Sequence, residues 1–274
     1  MKGMSLIEIS KMNETGESQA WSNFYQTAPE KFKKQYGIQT RQVGSLSITM
    51  IPGIDMAFFN RISLIGILEE ASENMLDDAI AVLEKAGLTN YIVQVSPVAQ
   101  PAAIPDWLTA RGFVRTDNWA KVYRDNRSIS LIETDLRVEI ITRKKADAFA
   151  DVAIKAFEVS DAFHPFFSGP IEQPGWVHFV AFEGQEPAAA GALYVKGEIG
   201  WLGFGATKPE FRKRGGQGAI MTRRIAEGIK MGCKWLITET GEETAEEPNP
   251  SYHNMLRSGF QLAYQRPNYV HKAG

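Results

Sequence analysis

The stretch from Trp201 to Met231, WLGFGATKPEFRKRGGQGAIMTRRIAEGIKM, constrains the fold of this chain more than any other. Trp201 to Thr207 reads as a strand, which Pro209 stops. A basic turn, Arg212-Lys213-Arg214, then feeds Gly215-Gly216-Gln217-Gly218, after which Ala219, Ile220, Ile225, Ala226 and Ile229 recur at helical spacing. The order is strand, glycine turn, helix. A glycine-rich turn at a helix start leaves several backbone N–H groups unpaired and aimed at one spot, with the positive end of the helix dipole behind them. Such a spot favours phosphate or pyrophosphate, and the flanking cations can pair with phosphate oxygens from the rim. A glycine turn before a helix is also an ordinary connection, so spacing and context decide its meaning.

Composition narrows the class. The chain has 274 residues, enough for one large domain or two smaller ones, and its 44% hydrophobic and 23% charged content is that of a soluble globular protein. A net charge of −2 argues against a broad nucleic-acid-binding face, although a local basic patch stands at 212–214. One cysteine, Cys233, excludes an intramolecular disulfide and a cysteine-rich metal site, as expected in a reducing cytosol. The opening residues, MKGMSLIEISKMNETG, lack the apolar core of a signal peptide, and no run of ~18 apolar residues follows. A cytoplasmic protein without membrane or nucleic-acid partners is expected, as a monomer or homodimer.

Along the chain, Trp21, Phe24, Tyr25, Phe32 and Tyr36 form a patchy amphipathic pattern over 16–36 that Pro29 splits into two short helices. Ser45 to Met50 alternates like a strand, and the apolar run Phe58 to Leu68 reads as a buried one. A helix from Met75 to Leu83 ends at Gly87, Tyr91 to Val95 is a strand, Ile104 to Arg111 a helix closed by Gly112, and Phe113 to Tyr123 a strand. The second half begins with a strand at Leu136 to Ile141, a helix at Ala146 to Phe157 and an aromatic loop, 163–170. A hairpin pairs Trp176 to Phe182 with Ala188 to Val195, and after the glycine-turn helix come a strand at Trp235 to Thr240, an acidic loop, a helix at Ser251 to Ser258 and a strand near Gln261 to Tyr264.

The halves match in order. Gly87 and Gly232 each end a helix before a strand, and Gly112-Phe113 and Gly259-Phe260 each close a later helix, at nearly equal offsets. Duplication is the reading adopted, with the boundary in the polar run at Asp125 to Ser128 and just after it, although helix–glycine–strand connections are common. Two units follow, 1–130 and 136–274, of α/β (α+β) class, each a mixed, mostly antiparallel sheet flanked by helices. Where the second unit has RKRGGQG, the first has Glu69-Glu70-Ala71-Ser72-Glu73-Asn74, which would repel a pyrophosphate. The first unit is then a scaffold or a wall of the acceptor pocket.

Arg212-x-x-Gly215-x-Gln217-Gly218-Ala219, six residues after Ala206, resembles the pyrophosphate-binding motif of the GNAT superfamily of acyl-coenzyme A-dependent N-acyltransferases, with Gln217 where a small residue is usual. The resemblance covers 136–270 and extends over 1–130 only in the order of elements, so the first unit would be a degenerate copy in a tandem form. It implies acetyl-coenzyme A as donor, a small-molecule or peptide amine as acceptor, direct transfer between them, and no metal. It also implies that the strand before the turn carries a bulge and opens a wedge. Gly203, Phe204, Gly205, Ala206 and Thr207 would grip the pantetheine arm, with the N–H of Phe204 or its neighbour on the thioester carbonyl. Glycine in a strand suits a bulge, or simply room for Trp201 or Trp235.

The same resemblance assigns Arg212, Lys213, Arg214, Gly215, Gly216, Gln217 and Gly218 to the diphosphate. The family's usual acid position falls on Met255, which cannot donate a proton. Tyr252, one helical turn earlier, is the candidate acid in its place. Glu239 is the candidate base or amine anchor, or else a solvated strand-end carboxylate. Asn249 reads first as a helix N-cap and second as a coenzyme A contact. Phe163, His164, Phe166 and Phe167 fall where such proteins line the acceptor pocket, or anchor a loop into the core. Glu242, Glu243, Glu246 and Glu247 read as a solvated loop, His178 and His253 as structural, and Cys233 as inert. The alternative to an enzyme is a non-catalytic coenzyme A binder, a sensor or structural module.

Overall fold

The structure, a computed structural model, describes residues 4–54 and 56–272. Its elements in chain order are α1 (Leu6–Gln26), α2 (Glu30–Tyr36), β1 (Gln39–Val43), β2 (Leu46–Met50), β3 (Arg61–Ser63), α3 (Glu73–Lys85), β4 (Asn90–Gln94), α4 (Ile104–Ala110) and β5 (Val114–Asp125). The second half holds β6 (Arg137–Ile140), α5 (Ala146–Phe157), α6 (His164–Ser168), β7 (Trp176–Glu183), β8 (Glu186–Lys196), β9 (Ile199–Thr207), α7 (Gly216–Lys230), β10 (Trp235–Gly241), α8 (Pro250–Arg257) and β11 (Gln261–Lys272).

The eleven strands among the described residues join one sheet, in the order β1-β2-β3-β4-β11-β5-β10-β9-β8-β7-β6. Two neighbouring pairs are parallel, β3 with β4 and β9 with β10, and the rest are antiparallel. Each parallel pair is bridged by a helix, α3 or α7, so the two halves repeat one β-α-β unit. The last strand of each half crosses over. β5 lies between β10 and β11, while β11 pairs with β4 on its other side. The sheet therefore runs without a break past the connecting residues 126–136.

Alternation along the strands separates two faces. Ala190, Ala192 and Tyr194 of β8 join Trp21, Phe24, Phe149 and Phe166 in the core under α1, α5 and α6. Leu193 and Leu202 point the other way, to Met221 and Ile225 of α7 and Met255 of α8. A Cβ on Gly16, in the middle of α1, would come within 2.6 Å of Ile237 Cδ1, so glycine there lets the helix lie close on β10.

The sequence pattern misplaces several boundaries. The helical pattern over 16–36 is split at Pro29 as expected, but its first part belongs to a longer α1 that begins at Leu6, set by a capping box in which Ser5 Oγ accepts from Glu8 N at 3.3 Å and Glu8 Oε2 accepts from Ser5 N at 2.8 Å. The run Phe58 to Leu68 is strand only at Arg61–Ser63; Leu64 and Gly66 have positive φ and turn the chain. Ile65 and Ile67 are nonetheless buried, so apolar content did not distinguish strand from packed loop. The aromatic loop contains α6, β1 had no apolar signal, and β11 extends eight residues past Tyr264 to Lys272.

Residues 128–274 produced alone would lack β5, leaving β10 and β11 without the strand between them. Circular dichroism on urea titration should show no cooperative unfolding for that piece, with cooperativity restored by co-production of 1–127. A monomeric 128–274 that unfolds cooperatively would contradict the exchange of strands.

Candidate functional site

β9 and β10 pair only from Ile199 to Trp201 against Trp235 to Ile237, then diverge, although β9 runs on to Thr207 and β10 to Gly241. A bulge drives the divergence. Ala192 pairs with Gly203 and Ala190 with Ala206, so β9 carries one extra residue there, and Phe204 has φ 54°. The Phe204 ring turns into the α1 core, 4.6 Å from Phe24 and 5.5 Å from Trp21 between centroids. Any Cβ on Gly203 would fall within the Trp201 indole, so this glycine also makes room for the tryptophan. Just past the fork, Thr238 Oγ1 donates to Leu202 O at 2.6 Å.

A cavity of about 280 Å³ fills the fork. Trp21, Phe58, Trp119 and Phe157 wall it on the α1 face, and Gln217, Arg224, Ser251 and Met255 on the α7 and α8 face. It thus passes through the sheet.

At the mouth on the second face stands the glycine turn. Lys213 and Gly215 have φ of 65° and 76°, and no side chain caps α7. Ala219 N bonds to Gly215 O at 2.9 Å, which leaves the N–H groups of Gly216, Gln217 and Gly218 as the open first turn of the helix. The glycines here serve packing as well. A Cβ on Gly216 would lie 2.9 Å from Leu136 Cδ1 and one on Gly218 3.2 Å from Ile132 Cδ1, both in or beside the connection between the halves. Thr134 Oγ1 donates to Arg214 O at 2.7 Å and fastens that connection to the turn.

The basic residues divide. Arg214 is held by Asp135 and Glu183, so its charge is already matched, whereas Arg212 and Lys213 are exposed. Gln217 reaches across to α8, donating to Ser251 Oγ at 3.1 Å and accepting from Asn254 Nδ2 at 3.0 Å. Asn249 caps α8 through Oδ1, on Ser251 N at 2.9 Å and Tyr252 N at 3.1 Å, and its Nδ2 donates to Gly241 O at 2.7 Å. Tyr252 does not line the cavity; it is half-buried against the core cluster that includes Val122, Met221, Met255 and Phe260, while Ser251 and Met255 present the cavity face of α8.

Glu239, at the outer end of β10, lines the cavity from within the protein, its side chain 10% exposed. Its carboxylate accepts from Trp201 Nε1 at 3.1 Å and Lys121 Nζ at 3.0 Å. Lys121 of β5 has no exposed side-chain surface and also donates to Glu17 of α1 at 2.6 Å. Arg266 of β11 donates to Glu17 and, at 2.9 Å, to Glu14, which also accepts from Tyr264 Oη at 2.7 Å. Arg61 of β3 stands 3.7 Å from Glu17 with its guanidinium 4.0 Å over the Trp21 ring. Burial raises the Glu239 carboxyl, reinforced by the charge of Glu17 and outweighing Lys121 and Arg266. Burial acts on Glu17 in the same sense, but there Arg266 and Lys121 prevail and hold it well below the usual carboxylate range.

Other expected residues have structural roles. Phe163, Phe166 and Phe167 are buried in the α1 core, outside the cavity, and Phe157 stands in the wall instead. His164 lies 3.6 Å from Asp147 and Asp151. Glu242 accepts from Asn118 N at 3.0 Å and Glu243 from Asn249 N at 2.8 Å, so the acidic loop is tied down rather than wholly solvated. Burial lowers His178 to about 3 and raises Cys233 to about 11, which keeps both neutral. No cluster of potential metal ligands occurs among the described residues, and no helix there is long and apolar enough to cross a membrane.

No family model matches the chain, and no curated protein matches it in sequence. Solved structures match its fold. A GCN5-related N-acetyltransferase from Kribbella flavida superposes with a TM-score of 0.65 at 13% identity, covering 96% of both chains. A tandem GNAT protein from the clavulanic acid biosynthesis pathway gives 0.61 at 14%, covering 98% of this chain and 94% of the other. A GCN5-related N-acetyltransferase from Sphaerobacter thermophilus gives 0.60 at 10%, covering 96% and 92%. At these identities the likeness is one of fold.

Replacing Glu17 by Gln leaves Lys121 and Arg266 short of a buried counter-charge and should cost about 3–5 kcal/mol at pH 7 by urea unfolding. Because the folded protein lowers this carboxyl, its contribution is full above the ordinary Glu value and fades as pH falls below it. The difference between Glu17→Gln and the parent should therefore narrow below pH ~4.5. A pH-independent difference would contradict the ion network.

Proposed function

We propose that this chain, whose fold is that of the GCN5-related N-acetyltransferases, is an N-acyltransferase that moves an acetyl group from acetyl-coenzyme A directly to an amine. One observation supports the reading most. The bulged fork of β9 and β10 opens on one face to an uncapped, glycine-started helix and on the other to a buried carboxylate among aromatic rings. In this reading, the N–H groups of residues 216–218 and the exposed Arg212 and Lys213 take the diphosphate. The backbone from Phe204 to Thr207 takes the pantetheine arm, and the N–H of Phe204 or Gly205 polarises the thioester carbonyl. The bridge from Gln217 to Ser251 and Asn254 spans the space between α7 and α8, so an arm entering there replaces those bonds.

The amine arrives from the α1 face, where Trp21, Phe58 and Trp119 of the first half suit an apolar or aromatic body. That gives the first half its part: it builds the acceptor side, while the diphosphate turn belongs to the second. Glu239 accepts the proton of the ammonium group before or during attack, its raised affinity for protons bringing it nearer the operating pH of a general base. The departing thiolate is a modest base, with an ordinary thiol value of ~8.5, and leaves without a strong acid. Tyr252, on the packed side of α8, carries no proton in this scheme. Gln217 across the entry and Met255 at the family's acid position also suit a coenzyme A binder without turnover.

Calorimetry with acetyl-coenzyme A, followed by thiol release across a panel of primary amines, separates these readings. Binding with turnover is expected, and binding without turnover for any amine would favour the sensor. Glu239→Gln should lower kcat by about 10²–10⁴-fold with little change in donor affinity, and the parent's kcat/KM should rise with pH as Glu239 ionises. Undiminished kcat in Glu239→Gln would remove it as the base.

A further inference from the structure

Arg224 of α7 is 2% exposed and has no carboxylate partner among the described residues, unlike the buried Arg61 and Arg266. Its Nη1 donates to Gly203 O at 3.0 Å and Ala192 O at 3.2 Å, the two carbonyls flanking the bulge. Nη2 meets only the Met221 sulfur, at 3.8 Å, and the buried Nε has no partner. Glycines make the space. A Cβ on Gly191 would lie 2.9 Å from Cζ, and one on Gly205, the exposed residue of the bulge, 3.4 Å from Nη2. Burial without a counter-ion draws this guanidinium down to about 9. An uncompensated charge is among the costlier things to keep inside a protein, and this one lines the cavity.

We infer that Arg224 binds a carboxylate carried on the acyl group of the donor, so that the preferred acyl-coenzyme A is a dicarboxylic half-thioester, of malonyl or succinyl type, rather than a simple alkanoyl one. This rests on the acyltransferase reading and ranks its donors: acetyl-coenzyme A uses the same diphosphate turn, and the dicarboxylic half-thioester binds more tightly through Arg224. The side of the sheet decides the source of the carboxylate. Arg224 stands on the α7 face with the glycine turn, while Glu239 and the aromatic walls stand toward α1. Nη2 lies beneath Gly205, next to the N–H groups assigned to the thioester carbonyl, so a carboxylate a few bonds beyond that carbonyl meets the donors of Nη2, while Nε stays covered by β8 at Gly191. Charge-assisted bonds of this kind discriminate strongly, because the neutral analogue leaves the guanidinium unmatched.

Calorimetry on the whole protein without acceptor tests this, using succinyl-coenzyme A against butyryl-coenzyme A, its uncharged analogue of like length. The parent should bind succinyl-coenzyme A at least about tenfold more tightly, and Arg224→Met should bring the ratio near one, with Arg224→Lys between. Equal affinities in the parent would overturn the inference and leave the acyltransferase reading standing if acetyl-coenzyme A still binds. Absence of binding by any of the three donors would remove both. If the parent shows no donor preference but its acetyl-coenzyme A complex prefers amino acids to their methyl esters, the carboxylate belongs to the acceptor and the donor assignment fails.

Discussion

Lys121 lies wholly inside the protein between the carboxylates of Glu17 and Glu239, and that one ammonium group ties α1, β5 and β10 together. With Arg61, Arg266 and Glu14 it forms a set of three acids and three bases drawn from five elements. Such a set is stable only when every member is present, since loss of one leaves an unmatched charge in a medium that solvates it poorly. Its existence depends on the exchange of last strands. β5 brings Lys121 beside β10, and β11 brings Arg266 beside β5, so each half completes the charge balance of the other.

The site inherits its character from that network. Glu239 would be a solvated carboxylate if β10 ended at a free edge. Covered by β5 and α1 instead, it is partly desolvated, oriented by Trp201, and set against the negative charge of Glu17. The fork in the sheet supplies the other half. By parting β9 from β10, the bulge at Phe204 opens a passage between a face with exposed cations and free helix N–H groups and a face of aromatic rings. Each wall is chemically suited to a different part of a two-substrate reaction.

Much of this was readable in the residues. Alternation and glycine punctuation located most strands and helices, because those elements bury one face and are ended by residues with special backbone freedom. The bulge was legible in Gly203-Phe204-Gly205 and the open helix start in Gly215-Gly216. Less legible were features settled by residues far apart in sequence. The strand exchange left no local trace, and neither did the pairing of Lys121 with Glu17. Lys121 within Trp119 to Tyr123, and Arg224 on the apolar side of its helix, were the available hints, as charges in otherwise buried runs. Tyr252 illustrates the opposite limit. A one-turn shift along a helix preserves a face only roughly: Ser251 and Met255 of α8 line the cavity, whereas Tyr252 is half-buried against the neighbouring core cluster.

The most direct test of the central claim is an amide-resolved NMR titration with coenzyme A. The expected result is that the largest shifts fall on the N–H groups of residues 215–218, with a second group at Phe204 and Gly205, while Glu73 to Met75 at the start of α3 stay unmoved. Saturating coenzyme A that leaves the amides of 215–218 in place, or that shifts α3 instead, would contradict it.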